Sequence, residues 1–441
     1  DGKRIYLCID LKTFYASVEC VDRGLDTLVD NLVVADITRG RGTICLAITA
    51  AMKRLGIRNR CRIFEIPANV RYTVAQPRMR HYMEVSAQIY GTYLEYVSPE
   101  DIHVYSVDEC FIDATPYLSL YSCDARTFAL ELMDAVKKRF GILATAGIGT
   151  NLFLAKVALD ITAKHAEDGI GILDEELFRQ HVWNHRPITD IWGIGPGIAR
   201  RLERLGVLDL KGVTQLPEEV IYKEFGVNAE YLIDHAWGYE PCTIAQIKAY
   251  RPENRSVSSG KVLQCAYSWE KARLVVREMA DGLTMDLVEK GLVTQKLTLT
   301  LGYDRESLEK PGTSYTGPLV SDRYGRQIPK SAHGTITLPQ KCASQKQITA
   351  AFMELYDRIA DRQLLQRRIT LTADLFEASE AEKSTQEQLD FFTDPVENQT
   401  QREKLEREQA RLKAMLEIKK KFGKNAIFRG MNLEEGATAR E

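Results

Sequence analysis

Acidic residues interrupt apolar, strand-like runs at two places in this chain. Tyr105-Ser106-Val107-Asp108-Glu109-Cys110-Phe111-Ile112-Asp113 sets Asp108 and Glu109 between two such runs, and Asp10 closes a third, Ile5-Tyr6-Leu7-Cys8-Ile9. A carboxylate in a buried strand is costly unless a positive charge compensates it. A divalent cation does this most directly, and hard oxygen donors suit Mg2+. The pattern points to a metal-dependent phosphoryl- or nucleotidyl-transfer site. The competing reading is a surface hairpin with Asp-Glu in its turn, an ordinary turn composition.

The 441 residues allow roughly three domains of about 150 each. Hydrophobic residues at 44% and charged residues at 27% are the proportions of a water-soluble globular chain. No apolar stretch approaches the ~18–20 residues of a membrane span. Nine cysteines occur without a C-x-x-C pair, which argues against a zinc knuckle or a disulfide framework. With no signal-peptide pattern at the start, a reducing bacterial cytoplasm is the expected location. A chain that opens on Asp1 and closes on Ala437-Thr438-Ala439-Arg440-Glu441 reads as a piece of a slightly longer one.

Charge is unevenly distributed. Lys and Arg against Asp and Glu give −6 over residues 1–244, +6 over 245–375 and −2 over 376–441. A basic segment beside an acidic one suits a protein that gathers cations in one place and a polyanion in another.

Patterning divides the chain further. Lys3–Leu11 reads as a buried strand, followed by helical spacing from Thr13. Residues 21–78 look like an insertion of short β-like runs with a basic cluster at Lys53, Arg54, Arg58, Arg60 and Arg62. Tyr82, Val85, Ile89 and Tyr93 step by three and four, as on an amphipathic helix. The pattern predicts a helix near Ala125–Phe140, a strand at Leu143–Ile148 and a helix from Thr150. Residues 170–244 read as almost wholly helical, and 245–256, with Pro252 and Asn254, as a linker. From 257 the order is strand (257–267), helix (269–289), strand (293–303), strand (333–339), helix (344–361), strand (366–375). That is β-α-β-β-α-β, the split-βαβ arrangement. A charged helix is expected at 396–421, with a partner helix, DNA backbone or plain packing as its equally open uses.

Asp10-Leu11-Lys12-Thr13-Phe14-Tyr15-Ala16-Ser17-Val18-Glu19 and Ser106-Val107-Asp108-Glu109 together resemble the paired signature of the Y-family translesion DNA polymerases. The UmuC-like proteins of Gram-positive bacteria are the most similar subgroup. The likeness continues in order through Gly147-Ile148-Gly149, the turn Gly193-Ile194-Gly195-Pro196-Gly197 and the split-βαβ segment, covering roughly residues 1–375.

The resemblance implies a multidomain α/β and α+β chain shaped as a right-hand polymerase. Its palm would take 1–20 and 79–168, small fingers 21–78, a helical thumb with a helix-hairpin-helix 169–244, a linker 245–256 and a little finger 257–375. The tail would be 376–441. Asp10, Asp108 and Glu109 match the family's catalytic carboxylates on two Mg2+ ions, with the Leu11 carbonyl as a further ligand. Beside Phe14, Tyr15 matches the steric gate whose ring excludes a ribose 2′-hydroxyl; spacing alone favours a core aromatic there. Lys164 falls where the family places a lysine on the incoming triphosphate, one residue further from Lys156 than usual. Lys53 and Ala50 stand where many relatives have Arg and Tyr, so the planar bidentate fork is lost.

Gly193, Gly195, Gly197 and Arg200 would meet the DNA backbone through main-chain N–H groups and charge. In the tail, Gln388-Leu389-Asp390-Phe391-Phe392 resembles the pentapeptide that grips the bacterial sliding clamp. Leu389, Phe391 and Phe392 would fill an apolar cleft, with Gln388 bonded at its rim. The expected partners are primer-template DNA, a deoxynucleoside triphosphate and the clamp, with a monomeric chain and no membrane. The alternative is a non-catalytic adaptor of polymerase shape, which would mark itself by losing the carboxylates. A nucleotidyl cyclase on a related palm leaves the Gly-rich turn and the clamp-like peptide without a role.

Overall fold

The computed structural model describes residues 4–309, 315–322, 324–379 and 395–440, arranged as two compact units, Asp1–Tyr250 and Arg251–Glu441.

In the first unit β1 (Tyr6–Leu11) runs into α1 (Phe14–Arg23). A small sheet follows, with β2 (Leu32–Val34) between β3 (Ala47–Ile48) and β4 (Thr73–Ala75), and α2 (Ala50–Arg54) beside it. Its core is separate, built on Val33, Ile48, Met52 and Ile63. The chain then forms α3 (Met79–Tyr93), β5 (Ile102–Val104), β6 (Glu109–Asp113), α4 (Thr115–Leu120), α5 (Ala125–Phe140), β7 (Ala144–Gly149), α6 (Leu152–Val157) and β8 (Ile170–Leu173).

These strands make one sheet in the order β5-β6-β1-β7-β8, with β1 central and antiparallel to both neighbours. Strand side chains alternate between faces. Leu7, Ile9 and Leu11 enter the core with Phe14, Tyr82, Ile89 and Phe128, while Tyr6 and Cys8 face Phe111, Leu152, Ala155 and Leu159 on the opposite side. Asp10 continues that second row, so it shares a face with α6.

The stretch from 169 is less purely helical than its composition suggests, because Ile170–Leu173 pairs parallel with β7 as the fifth strand of the sheet. Five helices then follow, α7 (Glu175–His181), α8 (Pro196–Arg204), α9 (Leu210–Gln215), α10 (Glu218–Phe225) and α11 (Ala229–Ala236). The expected linker 245–256 is largely structured. α12 (Ile244–Ala249) opens with a reciprocal Thr243–Gln246 capping box, buries Ile244 and sends Lys248 Nζ to the Pro99 carbonyl. The next strand already begins at Arg255.

The second unit contains β9 (Arg255–Tyr267), α13 (Trp269–Lys290), β10 (Leu292–Tyr303), α14 (Glu306–Glu309), β11 (Leu319–Ser321), β12 (Gln327–Pro329), β13 (Ala332–Cys342), α15 (Gln345–Ile359) and β14 (Gln366–Glu377). Its main sheet has the order β13-β10-β14-β9 with every pair antiparallel. Each β-α-β unit therefore straddles one strand of the other, as a split-βαβ fold requires. Leu297, Leu299, Leu301, Ile369 and Leu371 bury one face against α13 and α15.

The charged segment near the end forms α16 (Pro395–Phe422). It packs within this unit: Leu412 is fully buried, and Glu408 accepts from Lys346 N at 2.9 Å, over the start of α15. Beyond it, Asn432 Nδ2 and Thr438 N each donate to Glu278 at 2.7 Å, and Arg429 meets Asp281 at 2.6 Å. Plain packing thus accounts for this segment.

Candidate active site

Strand register brings the acids together. Asp10 lies directly opposite Glu109 in the β1–β6 ladder, and Leu11 N donates to the Asp108 carbonyl at 2.9 Å. Directly opposed residues project to the same face, so Asp10 and Glu109 are cross-strand neighbours. The turn before Glu109 is tied down locally. Ser106 Oγ donates to Asp108 Oδ1 at 2.8 Å and accepts from Glu109 N at 3.1 Å.

The electrostatics are those of acids short of positive charge. Burial, then repulsion from Asp108 and Glu109, pushes Asp10 up to about 8, against the pull of Lys156. Glu109 is also raised, chiefly by burial, although Lys156 Nζ sits 2.6 Å from Oε1. Among the described residues no three His, Cys, Asp or Glu side chains stand ready-gathered as a metal cage. Glu109 is turned to Lys156, and one oxygen of Asp108 to Ser106. The donor set nevertheless fits a hard divalent cation: adjacent carboxylates lie in register and repel one another, with Asp10 buried beside two other acids.

Thr13 turns the chain from β1 into α1 in a left-handed conformation, φ 46°, and Ser17 Oγ donates to the Lys12 carbonyl at 2.6 Å across that turn. Phe14 is thereby buried, and Tyr15 is left half-buried with its ring stacked on Tyr82, centroids 4.7 Å apart. Glu19, fully buried, accepts from the Tyr82 hydroxyl at 2.6 Å and from Arg78 at 2.8 and 2.9 Å.

Lys53 lies within electrostatic reach of Asp10 and Lys164. Burial, and more weakly Lys164, draw its ammonium below the usual lysine range, while Asp10 opposes them. The chain between Lys156 and Lys164 departs from a regular α-helix. Ala158–Thr162 forms a π-helical turn, a rare element inside a helix.

In the helical part, Gly193 adopts φ +86° and Gly195 caps α8, with Pro196 at its first position. Gly195 and Gly197 have open space beside them, and Arg200 is exposed. The neighbouring basic cluster is less available than its sequence suggests, since Arg201 and Arg204 both pair with Glu224. Trp192 Nε1 also donates to the Tyr105 hydroxyl at 2.9 Å, joining this turn to the Asp108 loop. Gln388, Leu389, Phe391 and Phe392 lie outside the described residues.

Three residues escaped sequence reasoning. Lys156 was noted only for its spacing, yet it is the buried partner of Glu109; an acid four residues on, Asp160, was the available sign. Glu19 and Tyr82 hold Tyr15 in place. Glu19 lay in the same motif, four residues along, but Tyr82 and Arg78 are too distant in sequence to be linked to it by pattern.

Comparison with known proteins agrees with this arrangement. Residues 9–160 match the impB/mucB/samB family, and residues 254–391 match its C-terminal domain. The UvrX protein of Bacillus subtilis (strain 168), whose name attaches it to UV-damage repair, is 31% identical over 305 residues, covering 68% of this chain and 71% of its own. DNA polymerase IV 2 of Halalkalibacterium halodurans is 25% identical over 440 residues, 99% of this chain and 97% of its own. Among solved structures, the Y-family DNA polymerase chimera Dbh-Dpo4(243-245)-Dbh shares the fold with a TM-score of 0.61 at 18% identity, covering 84% of this chain and 98% of that one. With matched segments over more than half its length and its motif acids at one end of the sheet, the chain belongs to the impB/mucB/samB family of UmuC/DinB-like, Y-family polymerases.

Proposed function

We propose that this protein is a template-directed DNA polymerase of the translesion type, joining a deoxynucleoside monophosphate to a primer 3′-hydroxyl opposite damaged template and releasing pyrophosphate. The observation that carries the reading is the register of β1 and β6, which sets Asp10 opposite Glu109 with Asp108 bonded beside Leu11. Asp10, Asp108 and Glu109, with the Leu11 carbonyl, would hold two Mg2+ ions. Bound there, such ions supply activation of the primer hydroxyl and neutralisation of the triphosphate.

The remaining work falls to the chain itself. Tyr15, backed by Tyr82, stands where the sugar would lie and leaves no room for a 2′-hydroxyl. Lys53 and Lys164 supply the cations that an incoming triphosphate needs, as point charges and not as a bidentate fork. Gly193, Gly195, Gly197 and Arg200 offer N–H groups and one charge to a DNA phosphate without reading bases. The pentapeptide Gln388–Phe392 would tether the enzyme to the sliding clamp, offsetting weak grip on DNA. A monomer in the bacterial cytoplasm completes the reading.

Primer extension with Mg2+ on undamaged and lesion-bearing templates tests it. Extension past the lesion that is lost in Asp108→Ala supports the assignment. Equal extension by the substituted protein overturns it.

A further inference from the structure

Lys156 is the best-fixed charged side chain near the acids. It is 7% exposed, and its ammonium lies 2.6 Å from Glu109 Oε1 and 3.0 Å from Asp160 Oδ1. The helix that carries it lies directly on the sheet, too close for a side chain in between. A Cβ on Gly147 would lie 2.0 Å from the Ala155 carbonyl oxygen, and one on Gly149 2.2 Å from Ala155 N. On the far side, Gly171 meets the π-helical turn in the same way, 2.4 Å from the Ala158 oxygen. Main chain is thus packed directly on main chain at three points around residue 156.

Asp160, one turn along, holds the ammonium from its other side. The backbone around Glu109 is held by Leu11, Tyr105, Ser106 and Ser86, so the partner that can change is the Glu109 side chain, at the first residue of its strand and beside Asp10. Among the described residues Glu109 forms a direct ion pair, whereas Asp10, its cross-strand neighbour, feels Lys156 and Lys53 only at longer range.

We propose that Lys156 is a positioning residue that holds Glu109 in reserve: its ammonium compensates Glu109 until a divalent cation binds, and metal binding requires Glu109 to give up or share that contact. The proposal rests on the two-metal reading above. It explains why the acids are neighbours in register without forming a ready cage. It also makes Lys156 a competitor of the metal, since two cations cannot both take full hold of one carboxylate. Loss of the ammonium should accordingly tighten divalent-ion binding, whereas loss of a merely structural lysine would weaken or spare it.

The test is Mn2+ binding to the full chain without DNA, followed by electron paramagnetic resonance, for the parent, Lys156→Met, Lys156→Gln and Lys156→Arg. Met keeps the length of the stem; Gln retains a donor to Glu109, should Met unfold the protein. About tenfold tighter binding is expected for Met or Gln, and near-parental binding for Arg. The gain should disappear when Glu109→Gln is added to either. Unchanged or weaker Mn2+ binding in the neutral variants, with the parent binding normally, overturns the role of Lys156 and leaves the two-metal reading intact. Absence of Mn2+ binding by the parent, or its persistence in Asp10→Asn with Glu109→Gln, overturns both.

Discussion

The ring of Tyr15 lies almost parallel to that of Tyr82, 18° between planes, and the Tyr82 hydroxyl is bonded to the buried Glu19. The half-buried Tyr15 is thus fixed by stacking from behind, so the position of the proposed gate relative to a bound sugar depends on Tyr82, from another helix, and on Glu19, one turn along its own. Tyr15→Ala is expected to raise ribonucleotide incorporation relative to deoxynucleotide by about a hundredfold, and Tyr82→Ala by about tenfold, on the scale of a few kcal/mol of discrimination. Single-nucleotide incorporation with paired ribo- and deoxynucleotides measures both. Unaltered sugar discrimination in Tyr15→Ala removes the gate.

Glu19 ties that support to stability. Burial opposes its charge, but bonds from Arg78, Tyr82 and Arg23 prevail and hold its carboxyl below the usual glutamate range. A depressed acid contributes stability in full above its unfolded range, and that contribution is lost as pH falls through the lower folded value. Glu19→Gln should cost about 2 kcal/mol at neutral pH, at the low side for breaking a buried pair because Arg78 is partly exposed. It should also flatten the acid limb of the stability curve. Denaturant melts from pH 7 down to pH 3 check this, and parallel curves for parent and variant would refute it.

Lys53 and Lys164 are expected to act on the same ligand. Either alanine variant should raise KM for the incoming nucleotide about tenfold, the loss of one charge-assisted contact. The double variant should lose more than the product, because removing one lysine relieves the other of repulsion and so softens each single loss. Steady-state titration of the nucleotide decides, and full multiplicativity would separate the two sites.

Removing Gln388–Phe392 should abolish capture by immobilised sliding clamp while leaving basal primer extension within about twofold, since a peptide of this kind carries its binding in a few anchors. Retained capture would place the clamp contact elsewhere.

Legibility in the sequence followed length and alternation. The strand ending at Asp10 and the β-α-β-β-α-β segment could be read because their apolar runs are long or strictly alternating, and the structure moves their ends by only a few residues, shortening 3–11 and 344–361 and lengthening most of the other strands; the run before Asp108 is a turn, its strand lying earlier at Ile102–Val104. Ile170-Gly171-Ile172-Leu173 could not, because a four-residue apolar run fits a helix as well as a strand. The supposed linker held an overlooked sign, Thr243 with Gln246 three residues on, before Ile244 and Ile247. Chemistry was legible as residue types: carboxylates at strand ends announce a need for cations. The Lys156–Glu109 contact was not, since it depends on α6 lying against glycines of the sheet. The Arg201 and Arg204 pairing with Glu224 was hidden in the same way, being set by tertiary packing and not by local pattern.

The central claim is that Asp10, Asp108 and Glu109 work as one catalytic centre. Mg2+-dependent extension of a labelled primer by the parent, beside Asp108→Ala, addresses it most directly. The account predicts a loss of at least about a thousandfold in rate, the order expected when transition-state charge is left unstabilised, with the substituted chain still folded and still binding DNA. Extension at the parental rate by the substituted chain would contradict it.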